Sequence, residues 1–265
     1  MAELFQIFFK WKKYILGLSI LAIVLSSIIT MPTIMPPYFE SKIELYVTNP
    51  QSTDRANLFN QENTANISMF GSRDDADRFI AVAKSSSITQ QIIEKYKLNK
   101  HYKIKQKTKA LEDFYTQKEY ASLITIQRND ADAIEVTVLD TDAQLAANIA
   151  KDIVHLSEKK VQQIILENKQ KVLEQIEQLI AENSKVSNTN TVAIENMEKF
   201  KDLRNQYSIS VNNDFKTIYI IEDAYVSPKK SKPVRWQIVL FSCIITFATA
   251  LLFAIVYEQV KHANK

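Results

Sequence analysis

The sequence predicts an α+β domain held between two membrane-spanning helices, and three observations lead to this fold class. Two long apolar stretches, residues 14–35 and 236–257, lie near the two ends of the chain. Between them, short segments with alternating apolar side chains indicate strands, and segments with a three-to-four-residue apolar period indicate helices. A stretch without glycine or proline, about residues 141–183, predicts one very long helix. We expect a small membrane-proximal mixed sheet and a long projecting helix.

The first apolar stretch is long enough to cross a hydrocarbon core of about 30 Å. Three lysines precede it, namely Lys10, Lys12 and Lys13, and a signal peptide also has basic residues before its apolar part. A signal peptide, however, has a shorter apolar part and a cleavage site of small residues, whereas this stretch continues into "MPTIMPPYFE". We therefore predict an uncleaved anchor at residues 14–35 after a tail of residues 1–13, with cleavage as the alternative.

The second apolar stretch, residues 236–257, contains no charged side chain and predicts a second span followed by a tail, residues 258–265. The lysines before the first span place both tails in the cytoplasm by the positive-inside rule, and residues 36–227 in the periplasm. The basic residues just before the second span favour the opposite orientation. We give the first span more weight, because a long domain crosses the membrane largely regardless of its charge.

The charge distribution and the rare residue types exclude several functions. The net charge is +3, yet residues 38–228 carry 24 Lys/Arg against 28 Asp/Glu, so the positive surplus lies at the two ends. Such ends attract anionic lipid, which argues against a nucleic-acid partner. Neither Gly17 nor Gly71 fits a phosphate-binding loop. The lone Cys243 and the scattered histidines show no metal-ligand spacing, so we expect no catalytic residues, no cofactor and no metal.

The central domain is predicted from local patterns. Strands are expected where apolar residues alternate, as in "YFESKIELYVT", and helices where a serine cap precedes an apolar period, as at Ser72 and Ser85. The predicted elements are, in chain order, a strand at 38–48, helices at 72–85 and 85–99, a hairpin of strands at 122–128 and 133–140, the long helix, a shorter helix at 190–207 and a closing strand at 214–227. The closing strand is expected to pair with the first strand.

The long helix carries one persistent apolar stripe. Its members are Leu145, Ile149, Ile153, Leu156, Val161, Ile165, Val172 and Ile176. At 1.5 Å per residue the helix is about 60 Å long, more than a small domain covers. We expect part of the stripe to pack on the helix at 190–207 and part of it to contact other copies of the chain, giving a homo-oligomer.

A stiff cationic segment, residues 228–235, leads into the second span, and we call it the collar. Its prolines restrict the backbone and disfavour helix at the residues before them. Its marked residues are the prolines Pro228 and Pro233 and the cations Lys229, Lys230, Lys232 and Arg235. Cations at head-group depth interact with lipid phosphates, so anchoring to membrane lipid is the simplest role for them.

Four features together resemble the polysaccharide co-polymerases, the Wzz-type chain-length determinants of bacteria. They are the two-span layout, the strand "YFESKIELYVT" after the first span, the segments "KSSSITQQIIEKYKL" and "TDAQLAANIAKDIVHLSEKKV", and "IIEDAYVSPKKSKPVRW" before the second span. The resemblance covers nearly the whole chain. The family's second span is often rich in glycine and proline, and this one has neither, which bears on how closely the two spans pack.

The resemblance implies a function. It implies a non-enzymatic homo-oligomer of the bacterial inner membrane that acts with a polysaccharide polymerase on lipid-linked glycan units. Such an assembly sets the length of a surface polysaccharide, for example the O-antigen of lipopolysaccharide. On this basis the cations of the collar contact the phosphates of the lipid-linked glycan, or the polymerase, in addition to membrane lipid.

A second cationic region, residues 95–109, holds seven lysines and no acidic residue, and we call it the lysine segment. Every second residue from Lys103 to Lys109 is a lysine, a pattern that predicts an exposed strand edge protected from wrong pairing. Contact with an acidic glycan or a pyrophosphate group is the alternative.

Three other functions remain open. An adaptor that activates a separate tyrosine kinase in capsule export, or a two-span sensor, needs a cytoplasmic module, and the short predicted tails disfavour both. An enzyme acting on cell-wall material needs convergent acid and base residues, which the sequence does not indicate.

Overall fold

The computed structural model describes residues 2–49, 68–184, 191–211 and 215–263. It divides into two compact units. The first unit contains both chain ends and consists of residues 1–39, 141–143 and 227–265. The second unit consists of residues 40–140 and 144–226. The first residues of the predicted helix at 190–207 and strand at 214–227 lie outside the described residues.

The terminal unit contains two helices, α1 (Ala2–Ile29) and α8 (Arg235–Ala263). Each includes a stretch long and apolar enough to cross a membrane, Phe9–Ile29 and Arg235–Lys261. Residues 30–35, which we had placed in the first span, form turns instead. Pro32 explains this difference, because a proline disfavours helix at the residue before it.

The two terminal helices pack through small side chains. In α1 the buried residues Ile15, Ser19 and Ser26 recur at helical spacing, and the buried Thr30 follows directly after the helix. The Ser19 hydroxyl donates to the Ile15 carbonyl at 2.9 Å, so a hydroxyl at the contact is satisfied within its own helix. A side chain added to Gly17 would meet no atom within 4 Å, so the contact does not depend on this glycine. Serine and threonine thus allow the close approach that small residues give between membrane helices.

The second unit contains a four-stranded sheet with the order β2-β3-β1-β4. Its strands are β1 (Phe39–Val47), β2 (Ile124–Arg128), β3 (Ile134–Asp140) and β4 (Ile218–Glu222). Strands β2 and β3 form the predicted hairpin, and β4 pairs antiparallel with β1, as predicted for the closing strand. The α+β fold class is therefore confirmed.

Four helices precede or follow these strands: α2 (Arg73–Ala83), α3 (Ser86–Tyr96), α4 (Leu98–His101) and α5 (Lys109–Leu123). The predicted caps are confirmed. Ser72 forms a capping box with Asp75, and the Ser85 side chain accepts from the backbone N–H of Ile88. Helix α5 has no counterpart among the predicted elements.

The hydrophobic core lies between the sheet, these helices and the start of the long helix, α6 (Ala143–Ser184). Alternate residues of β1 and β3 are buried, as the sequence pattern predicts. In α6, seven of the eight buried residues fall between Ala146 and Ser157, and Ile176 is the other. The long helix is confirmed, and most of its length after Ser157 is half-buried or exposed. A further helix, α7 (Thr191–Val211), follows it.

Three tyrosines of this unit predict a loss of stability at alkaline pH. Burial raises the pKa of Tyr96, Tyr102 and Tyr120 well above the ordinary 10.0, and carboxylates beside Tyr96 and Tyr102 raise it further. The unfolded chain releases these phenol protons near pH 10, and the folded chain releases them only at a higher pH. Their contribution to stability is therefore complete below pH 10 and is lost as the pH rises through the folded-state values.

The measurement is tyrosinate absorbance of the full chain in detergent as the pH is raised, with unfolding followed by circular dichroism. We expect a group of tyrosines that ionises only well above pH 10, and we expect Tyr102→Phe to have one fewer tyrosine in that group. Identical titration curves for the variant and the wild type would contradict the assignment of Tyr102 to this group.

Candidate functional site

The collar is tied by its backbone to the residue before β1. The Tyr38 N–H donates to the Lys232 carbonyl at 2.9 Å, and the Ser231 N–H donates to the Tyr38 carbonyl at 2.8 Å. The Ser227 hydroxyl donates to the Lys229 carbonyl at 2.8 Å. The collar is therefore an extended segment with specific backbone contacts, and α8 begins only at its end, at Arg235.

The cations of the collar have no ion-pair partner within the described part of the chain. Lys229, Lys230 and Lys232 are exposed, and Arg235 is half-buried. The Nε–H of Arg235 is buried and has no hydrogen-bond partner among the described residues. An unsatisfied buried donor is costly, and this atom has almost no accessible surface, so it can gain an acceptor only if the collar rearranges.

A polar cluster near the opposite ends of the terminal helices was missed by the sequence analysis. Glu258 accepts from Lys10 Nζ at 2.7 Å and from Trp11 Nε1 at 3.0 Å. The Trp11 ring also meets that of Tyr257 edge to face, with 5.3 Å between centroids. The sequence signal was a lone carboxylate directly after the second apolar stretch, because a buried carboxylate needs a cation or a donor.

The prediction that the lysine segment is an exposed strand edge is wrong. The segment forms the end of α3, the helix α4, a loop and the first residue of α5. Lys97, in the left-handed region at φ 51°, ends α3, and the fully buried Leu98 starts the next turn. Burial of this leucine decides the path of the chain, and the alternating lysines after it lie in a loop.

The lysine segment is held against the sheet by a buried carboxylate. Asp140, at the end of β3, is fully buried; its Oδ1 lies 2.8 Å from His101 Nε2, and its Oδ2 accepts from the Tyr102 hydroxyl at 3.2 Å. Asn99 donates to Glu112 of α5 at 2.5 Å. These contacts hold the position of the loop that follows residue 102.

The structure corrects the interpretation of the apolar stripe. Ile149 and Ile153 are fully buried in the core, and three further members pack against that core, namely Leu145, Leu156 and Val161. These five residues serve the fold of one chain, because the first turns of α6 cover its own sheet. Ile165 and Val172, which are half-buried, and Ile176, which is buried, lie beyond this region.

Residues 1–96 match the family described as Wzz, chain length determinant protein. Among solved structures, the chain is similar to a full-length bacterial polysaccharide co-polymerase, with a TM-score of 0.49, 11% identity, and coverage of 100% of this chain and 99% of the other. It is also similar to a fragment of WzzB, the polysaccharide co-polymerase from Salmonella Typhimurium, with a TM-score of 0.43, 11% identity, and coverage of 74% and 100%. No curated protein matches the chain.

Proposed function

We propose that this chain is a Wzz-type polysaccharide co-polymerase and that it sets the length of a bacterial surface polysaccharide from the inner membrane. The observation that carries the proposal is the family match over residues 1–96, which include the first apolar helix, β1 and the helices α2 and α3. In this role the chain is not an enzyme. It regulates a polysaccharide polymerase that extends lipid-linked glycan units, with the O-antigen of lipopolysaccharide as one such product.

The proposed topology has both termini in the cytoplasm and the α+β unit in the periplasm. Two terminal helices suited to crossing a membrane support a two-pass arrangement. The orientation follows from Lys10, Lys12 and Lys13, which precede most of the first apolar stretch. In this topology the α+β unit lies on the side of the membrane where surface polysaccharide is assembled.

The collar cations then contact phosphate groups at the membrane surface. Lys229, Lys230 and Lys232 are exposed, and Arg235 is half-buried. A lipid head group and a lipid-linked glycan both present phosphate oxygens, which pair well with ammonium and guanidinium groups. Contact with the polymerase is the second role for these cations.

Assembly of several copies is supported by apolar surface outside the core. Strand β4 lies at the end of the sheet, and its residues Ile220 and Ile221 are 52% and 54% exposed. An apolar edge strand is a ready template for pairing with another chain. The part of α6 beyond the core adds Ile165 and Val172. A homo-oligomer would cover both surfaces.

The test is a gel of surface polysaccharide from a strain that lacks this chain. We expect polysaccharide to be made and exported without its usual modal length, because polymerisation continues unregulated. Loss of export instead would indicate the kinase adaptor, and an unchanged gel would indicate the sensor or the cell-wall enzyme. Complementation with the wild-type gene is the control for polar effects of the deletion.

The same strain tests the collar. Complementation with Lys229→Ala/Lys230→Ala/Lys232→Ala is expected to restore protein abundance but only part of the length control, because three phosphate-binding charges are gone. The matched control is Lys159→Ala/Lys171→Ala/Lys201→Ala, which removes three exposed lysines elsewhere. Full length control by the collar variant at normal abundance would contradict a functional role for these cations.

A further inference from the structure

The lysine segment forms two adjoining depressions, of about 440 Å³ and 390 Å³. Lys103, Ile104 and Lys105 line both of them. Lys118 of α5 completes the larger one, and Lys100 completes the smaller one. We call the two depressions together the lysine cleft. Their volumes fall within the range of about 300–1,000 Å³ that is typical of small-molecule sites.

The four lysines of the cleft have no ion-pair partner in the described part of the chain; they are Lys100, Lys103, Lys105 and Lys118. All four are exposed. The carboxylates in the walls are Glu112 and Glu119, and Glu112 accepts from Asn99. The cleft therefore has a surplus of two positive charges, and a concave surface with a net charge concentrates oppositely charged ligands.

The backbone of the cleft holds an uncommon conformation. Lys103 lies in the left-handed region at φ 56°, which non-glycine residues rarely adopt. Its N–H donates to the Lys100 carbonyl at 3.1 Å, and the N–H of Ile104 donates to the Asn99 carbonyl at 2.9 Å. Together with the His101 contact to Asp140, these bonds make the loop a specific structure in which Lys103 and Lys105 line the same two depressions.

The wall of the larger depression adds groups suited to a sugar. Tyr115 is 41% exposed there, and its ring offers an apolar face to the carbon face of a pyranose. Gln106 supplies hydrogen-bond donors and an acceptor for sugar hydroxyl groups, and the Ser122 hydroxyl, which donates to the Glu119 carbonyl at 2.8 Å, supplies an acceptor. An aromatic face, neutral polar groups and unpaired ammonium groups in one cleft match a sugar unit that carries a carboxylate or phosphate.

We propose that the lysine cleft binds acidic sugar units of the polysaccharide whose length the chain controls. This proposal rests on the proposed function and adds two statements to it, that the polysaccharide is acidic and that it contacts this loop. The ammonium groups pair with the anionic groups, and Tyr115 packs against a ring. Because exposed charges carry much of the contact, binding weakens as salt is raised.

The test is binding of oligogalacturonate to the full chain in detergent, measured by calorimetry, with a neutral oligosaccharide of equal length as comparison. We expect oligogalacturonate to bind at least about tenfold more tightly than the neutral probe. Lys103→Gln/Lys105→Gln/Lys118→Gln is expected to remove this difference, and Tyr115→Ala to weaken both probes. The matched control is Lys159→Gln/Lys171→Gln/Lys201→Gln, which changes the net charge equally and is expected to bind like the wild type.

Glycerol phosphate, a soluble anionic head group, is the competitor that separates a glycan site from a lipid site. Weaker displacement of oligogalacturonate by glycerol phosphate than by monomeric galacturonate at equal concentration supports the proposal, and equal or stronger displacement overturns it in favour of a head-group site. Unchanged binding by the triple variant, or equal loss in the charge-matched control, also overturns it. None of these outcomes bears on the gel of the deletion strain, so failure of the cleft and failure of the proposed function are distinguishable.

Discussion

Ile165→Asp/Val172→Asp is expected to dissociate the proposed homo-oligomer while each chain keeps its fold. Both side chains are half-buried and lie on α6 beyond the core, seven residues apart on one face. A charge on this face disfavours contact with a neighbouring copy, because the carboxylates would lose water in an apolar interface. Within one chain the carboxylates stay partly hydrated, so the free energy of unfolding should change by only about 1 kcal/mol.

The measurement is mass by light scattering in detergent together with thermal unfolding. Gln163→Asp/Gln170→Asp is the matched control, since these residues are also seven apart on α6, lie on another face and add the same charge. We expect the control to remain assembled. A full-sized assembly of the Ile165/Val172 variant would contradict the placement of the contact on this face.

Ile153→Asp, a substitution in the same helix, is expected to unfold the chain rather than to affect its assembly. Ile153 is fully buried among the core residues. A charge placed there costs more than about 4 kcal/mol, a large part of the 5–15 kcal/mol that stabilises a typical domain. This variant should lose its fold before any question of assembly arises, and an intact domain would contradict the core described here.

Glu258→Ala is expected to separate the ends of the two terminal helices. The substitution leaves Lys10 without its ion pair and the Trp11 indole N–H without its acceptor. The Lys10 side chain is 57% exposed and can be hydrated, whereas the part-buried Trp11 N–H loses its acceptor, so the helices should part where these residues meet. Glu258→Gln keeps an acceptor for Trp11 but loses the ion pair, and it should have an intermediate effect.

Trp11 reports the result directly. The chain has only two tryptophans, so Trp236→Phe leaves Trp11 as the single emitter. We expect its fluorescence to shift to longer wavelength in Glu258→Ala, less in Glu258→Gln, and not at all in Lys261→Ala. The same emission in Glu258→Ala as in the parent would show that the cluster does not hold the helix ends together.

Local patterns were enough to predict most elements of the fold. The alternation in β1 and β3, the caps at Ser72 and Ser85, and the long apolar period of α6 all depend on neighbours within a few residues. These patterns can be recognised in the linear sequence, because the spacing of buried side chains follows directly from helix and strand geometry. The pairing of β4 with β1 was also predicted, because it returns the chain to the membrane beside the point where it leaves the first apolar stretch.

The lysine segment shows why local patterns failed elsewhere. Its alternating lysines match a strand edge, yet burial of Leu98 and the contacts of His101 and Tyr102 with Asp140 place them in a loop. These partners lie about 40 residues apart in the sequence, at a separation of 39 for His101 and 38 for Tyr102. A pattern confined to residues 95–109 contains no information about them.

The amino-acid sequence alone therefore determined the two apolar helices, the α+β class, the length of α6 and the cationic character of the collar. Only the tertiary structure decided which half of the α6 stripe belongs to the core, that Glu258 joins Lys10 and Trp11, and that lysines 100, 103, 105 and 118 share a cleft. The physical reason is that periodicity and composition act along the chain, whereas burial and charge pairing depend on which distant segments come into contact.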